Sequence, residues 1–452
     1  MTGRPASRLG RLARIALLAL ALAALAGPTP SAPAATFSKR IIGYFVQWAV
    51  YARDYEPADI PADKLTHVNY AFLAVNAATG QLFSIDAYAD FQKAFPAKNG
   101  LPAQTWDQSA ANAAGNFGRL RDLKALYPDL KVLVSVGGWT LSTPFPTVAG
   151  SETLRAAFAA SCADWVSAQG LDGIDIDWEY PGTDDKANFT ALVAATRAAL
   201  DAKGQADGKA YLLTLAAPAA ASRIAAWDLP ALAAAVDGIN LMTYDYNGGW
   251  QDVTGHVAPL YDNPAGPCLD PCTSTATWNV DWAVGAYLEA GVPAAKLAMG
   301  IPFYGRSWET VPATDNGLFQ PGVAGPSQGT GGNWESGVFD YWKVVELAAA
   351  SGYTASTDPL SQAPSLYGPN ITSGRTTGGL FVTYESTASL AKKLAQVQGR
   401  GLGGVMFWEL SGDVRDAADA SSLLGLMART FGGGSASGKA QPWQLLLLAP
   451  AS

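Results

Sequence analysis

The segment Leu171-Asp172-Gly173-Ile174-Asp175-Ile176-Asp177-Trp178-Glu179-Tyr180-Pro181 carries an acid at every second position from Asp175 to Glu179. Successive side chains of a strand alternate between faces, so these three share one face, stepped by about 6–7 Å per pair of residues. Crowding and loss of solvent both disfavour charge on adjacent carboxylates, so such a row must share protons. A carboxyl that keeps its proton near neutral pH is what general acid catalysis requires. Glu179 is last on the strand and nearest its C-terminal end. Asp175 is deepest, and Asp177 bridges the two. A solvated sheet edge is the alternative, but Ile174, Ile176 and Trp178 give the strand a second, apolar face. A calcium loop would put its oxygens around a glycine turn rather than along an extended run.

Other chemistry is sparse. The chain has 3 cysteines and 2 histidines. Cys268 and Cys272 fall in a Gly/Pro-rich loop and form a candidate local disulfide in an exported protein. A zinc site needs about four ligands, and only His256 lies nearby. Cys162 falls in a helical pattern and is expected as a buried thiol. No metal or cofactor is implied.

The elements that must position the acids follow from the alternation of β-branched runs with Ala/Leu-rich stretches from residue 40 onward. Eight strands are predicted: Ile41–Gln47, His67–Phe72, Lys131–Val136, Gly173–Trp178, Tyr211–Ala216, Gly238–Tyr244, Lys296–Pro302 and Gly403–Phe407. Helices are predicted at Tyr51–Ile60, Phe117–Leu126, Leu154–Ala168, Asp184–Ala202, Asp281–Ala290 and Thr387–Gln398. Eight β/α units predict an α/β fold, a (β/α)8 barrel, with its chemistry at the C-terminal mouth of the strands. The roughly 80 residues before Thr387 are too many for a structureless connection. A helix over Val338–Ala350 and a strand over Leu380–Tyr384 make them a small α+β insertion.

The expected organisation is a leader over residues 1–34 and barrel strands one to seven over 35–306. The insertion follows over 307–385, and the eighth strand with its flanking helices over 386–430. A Gly/Ser linker and short tail occupy 431–452. Arg4, Arg8, Arg11 and Arg14 precede the apolar run Ile15–Ala26, and Ala32-Pro33-Ala34 follows, the pattern of a secretory signal peptide. Its removal would take the net charge from −8 to −12, since the leader holds those four arginines and no acid. An acidic body excludes nucleic acid and anionic membrane as natural partners and leaves a neutral substrate. The mature form is expected to be extracellular, free of membrane and monomeric.

Asp172-Gly173-Ile174-Asp175-Ile176-Asp177-Trp178-Glu179 resembles the D-x-x-D-x-D-x-E signature of family 18 glycoside hydrolases, the bacterial-type chitinases with a deep cleft and an α+β insertion. Ser135-Val136-Gly137-Gly138-Trp139 resembles the family's S-x-G-G strand, and Met242-Thr243-Tyr244-Asp245 its M-x-Y-D strand. Gly300 to Arg306 and Gly404 to Glu409 resemble its seventh and eighth strands, and the likeness spans about residues 39–430. Where many relatives carry an acidic pair after the tyrosine at 384, this chain has Glu385-Ser386.

The resemblance implies hydrolysis of chitin and chitooligosaccharides with retention, assisted by the substrate's own 2-acetamido group. Glu179 would be the acid, Asp177 would orient the acetamide, Tyr244 would hydrogen-bond its carbonyl, and Asp175 would tune Asp177. Ser135 and Asp172 would be structural supports. Tyr44, Trp48, Phe72, Gly138, Trp139, Met242, Asp245, Trp250, Tyr304, Arg306 and Trp408 would line the cleft. Trp408 would be its floor, since an indole offers flat apolar area to a sugar ring. Two other functions fit the same barrel: an endo-β-N-acetylglucosaminidase acting on N-glycans, and a chitin-binding lectin without turnover. The lectin reading is weakened by the presence of Glu179.

Overall fold

The computed structural model describes residues 36–268, 274–326, 332–370 and 377–432. The leader, Cys272 and the C-terminal tail lie outside these residues. Eight parallel strands close on themselves: β1 (Arg40–Val46), β2 (His67–Val75), β3 (Lys131–Gly137), β4 (Gly173–Asp177), β5 (Leu212–Ala217), β6 (Gly238–Leu241), β7 (Leu297–Pro302) and β8 (Gly404–Trp408). β1 pairs with both β2 and β8, which completes the (β/α)8 barrel. The strands are buried on both faces, as parallel strands covered by helices must be. Trp178 points outward from β4, stacking on Phe145 at 5.3 Å and meeting Phe189 edge-on at 5.5 Å. That anchor turns Asp175 and Asp177 to the inside.

At the opposite end of the barrel, Arg40 donates to the carbonyls of Ala295 and Lys296 at 3.0 and 2.9 Å, tying β1 to the entry of β7. Asp172 belongs to this end. It accepts the N–H of Val132 at 2.7 Å and pairs with Lys124. Among the described residues, no helix is long and apolar enough to cross a membrane.

Helices follow the predicted positions at Gly115–Leu126, Glu152–Gln169, Lys186–Asp207, Val280–Glu289 and Thr387–Gly399. Ser151, Asn279 and Ser386 cap three of them through their side chains. The helix expected over Tyr51–Ile60 does not form. Asp54 sits at φ +48, and only a single 3-10 turn, Pro57–Asp59, is present. The prolines at 57 and 61 remove the donors a longer helix would need. The helix expected from Val338 begins instead at Tyr341, because Val338–Asp340 is a strand.

The insertion is a second sheet, antiparallel, whose first strand Tyr304–Val311 starts directly after β7. It pairs with Val323–Ala324, Val338–Asp340 and Gly379–Thr383, and the sheet continues through Pro364–Pro369 to Thr354–Thr357. Phe339, Val344, Leu347, Leu366, Leu380 and Val382 form its core beneath the helix Tyr341–Ala349. Buried polar contacts clamp it to the barrel. Arg53 reaches Asp340 at 2.8 Å and Glu409 at 3.2 Å. Glu385 pairs with Lys393, whose ammonium also donates to the Ala258 carbonyl at 2.9 Å.

Both side chains of the Glu385–Lys393 pair are buried, so Glu385→Ala strands an ammonium in the interior. The expected loss is about 3–5 kcal/mol of unfolding free energy, read from urea denaturation. A loss below about 1 kcal/mol would mean that the pair is effectively solvated.

Candidate active site

The acids converge at the barrel mouth, each in a different environment. Asp175 is fully buried and accepts four hydrogen bonds. Tyr44 and Ser135 donate to Oδ2 at 2.7 and 2.8 Å, and Thr214 and Asn240 donate to Oδ1 at 2.6 and 3.2 Å. These donors come from β1, β3, β5 and β6. Burial still raises its pKa, although all four bonds oppose the rise. Asp177 is buried one step higher, with Oδ1 left without a hydrogen-bond partner. Burial, then the charges of Glu179 and Asp175, hold its pKa well above the usual carboxylate range. Glu179 is partly open to solvent. Burial pushes it up to about 7, aided by the charge of Asp245 and opposed by hydrogen bonds from Tyr180 and the Trp139 N–H. Asp177 and Glu179 titrate as a pair that keeps a proton near neutrality.

β4 ends at Asp177, so Glu179 is placed by the loop rather than by strand alternation. Gly138 donates its N–H to the Asp177 carbonyl at 2.7 Å. Gly137 lies at φ +113, and a Cβ there would stand 2.2 Å from the same carbonyl oxygen. Gly138 lies at φ +84, where a Cβ would strike the Phe72 ring at 2.7 Å. Its contribution is room for Phe72, which stacks on Trp408 at 5.6 Å. Trp408 also packs against Tyr44 and Trp48, so these rings form one continuous aromatic surface beside the carboxylates.

Tyr244, Asp245, Tyr304 and Arg306 bring polar groups to the same mouth, with Tyr304, Tyr244 and Trp408 packed in one cluster. Tyr244 sits near the acids, its hydroxyl 3.7 Å from the Met406 sulfur, a weak acceptor. Burial, then the charges of Asp177 and Glu179, raise its pKa, which keeps it a neutral donor. Asp245 accepts from the Tyr304 hydroxyl at 2.7 Å and takes both arms of Arg306 at 2.9 and 2.7 Å. The Arg306 guanidinium lies 5.0 Å above the half-exposed Trp250 ring. Trp139 is the most open of the expected cleft aromatics at 73% exposure, flat area facing solvent.

Not every expected residue lines the cleft. Met242 is nearly buried after β6; Asp172, expected only as a structural support, holds the Val132 N–H and Lys124 at the far end of the barrel. Glu385 is enclosed with Lys393. Cys268 is disulfide-bonded and Cys162 is a buried free thiol. Cys272, expected to pair with Cys268, lies outside the described residues. Thr214, Asn240, Tyr180 and Ser142 carry no motif signal but touch the acids or their backbone. Strand alternation could have placed Thr214 and Asn240 inward, but not opposite Asp175.

Comparison with known proteins gives one family. Residues 40–413 match the family described as Glycosyl hydrolases family 18. Chitinase A1 of Niallia circulans is 38% identical, over 85% of this chain and 58% of its own length. The chain thus spans little more than half of that relative. Chitinase 1 of Aphanocladium album is 38% identical, covering 85% of each chain. Among solved structures, chitinase ChiA74 from Bacillus thuringiensis superposes with a TM-score of 0.76 at 35% identity, over 87% of this chain and 69% of that one.

The raised pKa of Glu179 also sets a stability signature. The folded state holds this proton from the ordinary pKa of 4.5 up to about 7, whereas the unfolded chain releases it earlier. The contribution is therefore complete below pH 4.5 and lost as pH rises through 7. Glu179→Gln removes the titration. Relative to wild type it should gain on the order of 1–3 kcal/mol between pH 4 and pH 8, measured by denaturant unfolding. A stability difference independent of pH would contradict this environment for Glu179.

Proposed function

The chain belongs to glycosyl hydrolases family 18, and from that premise we propose that it is a chitinase. It hydrolyses β-1,4-linked N-acetylglucosamine polymers with retention, the substrate's acetamide serving as nucleophile. The observation that carries this reading is the position of Asp177. It is buried between Asp175 and Glu179, with one carboxylate oxygen unpaired. An acetamido N–H is a suitable donor for that oxygen.

Glu179 gives its proton to the glycosidic oxygen as the bond to the anomeric carbon breaks. The acetamido carbonyl oxygen attacks that carbon and forms a cyclic oxazolinium ion. Asp177 accepts the acetamido N–H and stabilises the positive charge. The Tyr244 hydroxyl holds the carbonyl end. Water then opens the ring, with the Glu179 carboxylate taking its proton. Two displacements at one carbon retain the configuration, without the second carboxylate nucleophile of ordinary retaining enzymes. Asp175, held by four donors, keeps Asp177 aligned from below. The Trp408 floor supports the distorted sugar, and Trp139 and Trp250 extend the apolar surface along a linear chain. The arginine-rich leader and the bonded Cys268 support export.

Glu179→Gln should bind substrate but turn it over about 10²–10⁴-fold more slowly. Retention of more than half the wild-type rate on chitin oligomers would remove Glu179 as the acid. The nucleophile is tested with partially acetylated chitosan. The new reducing ends should be N-acetylglucosamine, and early NMR should show the β-anomer. Abundant glucosamine at those ends, or an initial α product, would rule out substrate assistance. Release of glycans from a high-mannose glycoprotein, with none of soluble sugars from colloidal chitin, would redirect the assignment to N-glycans.

A further inference from the structure

Ser142 lies in the loop after β3 and is almost fully buried. Its hydroxyl accepts the backbone N–H of Glu179 at 2.8 Å and donates to the Gly138 carbonyl at 2.9 Å. The Asp177 carbonyl lies 3.3 Å from the same oxygen. One hydroxyl thus joins the turn that carries Trp139 to the backbone on both sides of Trp178. The same turn carries Trp139, whose backbone N–H lowers the pKa of the Glu179 carboxyl. Residue 179 is thus held to this loop at its backbone, through Ser142.

This matters because β4 has already ended. Past Asp177 no ladder hydrogen bond fixes the chain, yet the acid must sit within a fraction of an ångström of its productive position. We propose that Ser142 is a positioning residue for the catalytic acid, setting where the Glu179 carboxyl stands relative to Asp177 and to the glycosidic oxygen. The inference rests on the assignment of Glu179 as the acid. Ser142 contacts the backbone of Gly138, Asp177 and Glu179 rather than the carboxyl itself. It acts by keeping the 138–142 turn and the 177–179 backbone in one rigid unit.

Replacing the hydroxyl separates positioning from folding. Ser142→Ala frees the Glu179 N–H and releases the 138–142 turn from the 177–179 backbone. The Trp139 N–H on that turn lowers the pKa of Glu179, so displacing the turn lets the pKa rise. Asp177, Tyr180, Tyr244 and Asp245, which also act on Glu179 or surround it, are unchanged. The protonated acid is the active form, and the basic limb of kcat/KM should therefore move to higher pH.

The assay is hydrolysis of a chitin tetramer by the full chain. The expected result is a kcat about 10–100-fold lower, KM within about twofold, and a displaced basic limb. Ser142→Cys, of nearly the same volume but with a poor acceptor, should behave alike and guards against misfolding of the alanine variant. A kcat within about twofold of wild type with an unmoved limb, in whichever variant folds, overturns the inference whatever the change in Tm. Glu179→Gln is run beside them. If it is inactive while the Ser142 variants run at the wild-type rate, only the inference fails. If it keeps the wild-type rate, the acid assignment fails and the inference with it.

Discussion

Three carboxylates in the interior of one closed barrel are the constraint on which the structure turns. In water they would all be ionised near neutral pH. Inside the barrel, desolvation and mutual repulsion both penalise that state. The chain meets the penalty differently at each level. Asp175, at the bottom, is surrounded by donors from four strands, which favour its charge as far as burial allows. Asp177, in the middle, has little compensation and is held toward its protonated form. Glu179, at the top, is partly open and poised near neutrality. The gradient follows from depth in the barrel, so strand order and register set the chemistry.

Depth alone does not aim the last acid. The loops at the mouth do that, and their composition follows. Glycines at 137 and 138 let the chain turn against the Asp177 carbonyl and leave room for Phe72. Phe72 supports Trp408 from one side, while Tyr44 and Trp48 pack nearby. Tyr44 takes part in both systems. Its ring belongs to the aromatic surface and its hydroxyl to the Asp175 network, so floor and acids are registered to each other through one side chain.

The insertion adds a wall and is built into the barrel rather than attached by a tether. Its first strand continues from β7, so Tyr304 and Arg306 are members of the second sheet while their polar ends meet Asp245 at the barrel mouth. Asp245 adopts φ +59, a conformation asparagine and aspartate tolerate better than most residues. The Arg53 and Glu385 pairs close the same junction from other sides.

The barrel and its strand positions were legible because buried parallel strands read as apolar runs with a clear period, as at β1 and β3. The acids were legible because alternation over Asp175, Asp177 and Glu179 has few physical explanations. The Tyr51–Ile60 segment reads as a helix in sequence, but the prolines at 57 and 61 lack the N–H a longer helix needs, and only a 3-10 turn forms. Sequence could not show that Asp175 would meet Thr214 and Asn240, since cross-strand neighbours depend on barrel register. Nor could it distinguish Glu385, buried with Lys393, from an acid lining the cleft. Ser142 was equally invisible: a serine in a loop has no pattern, and its importance comes from a carbonyl and an N–H that only folding brings to it. Local periodicity is written in consecutive residues and survives in the sequence. Hydrogen-bond partners and pKa values belong to distances across the chain, and only the closed barrel sets those.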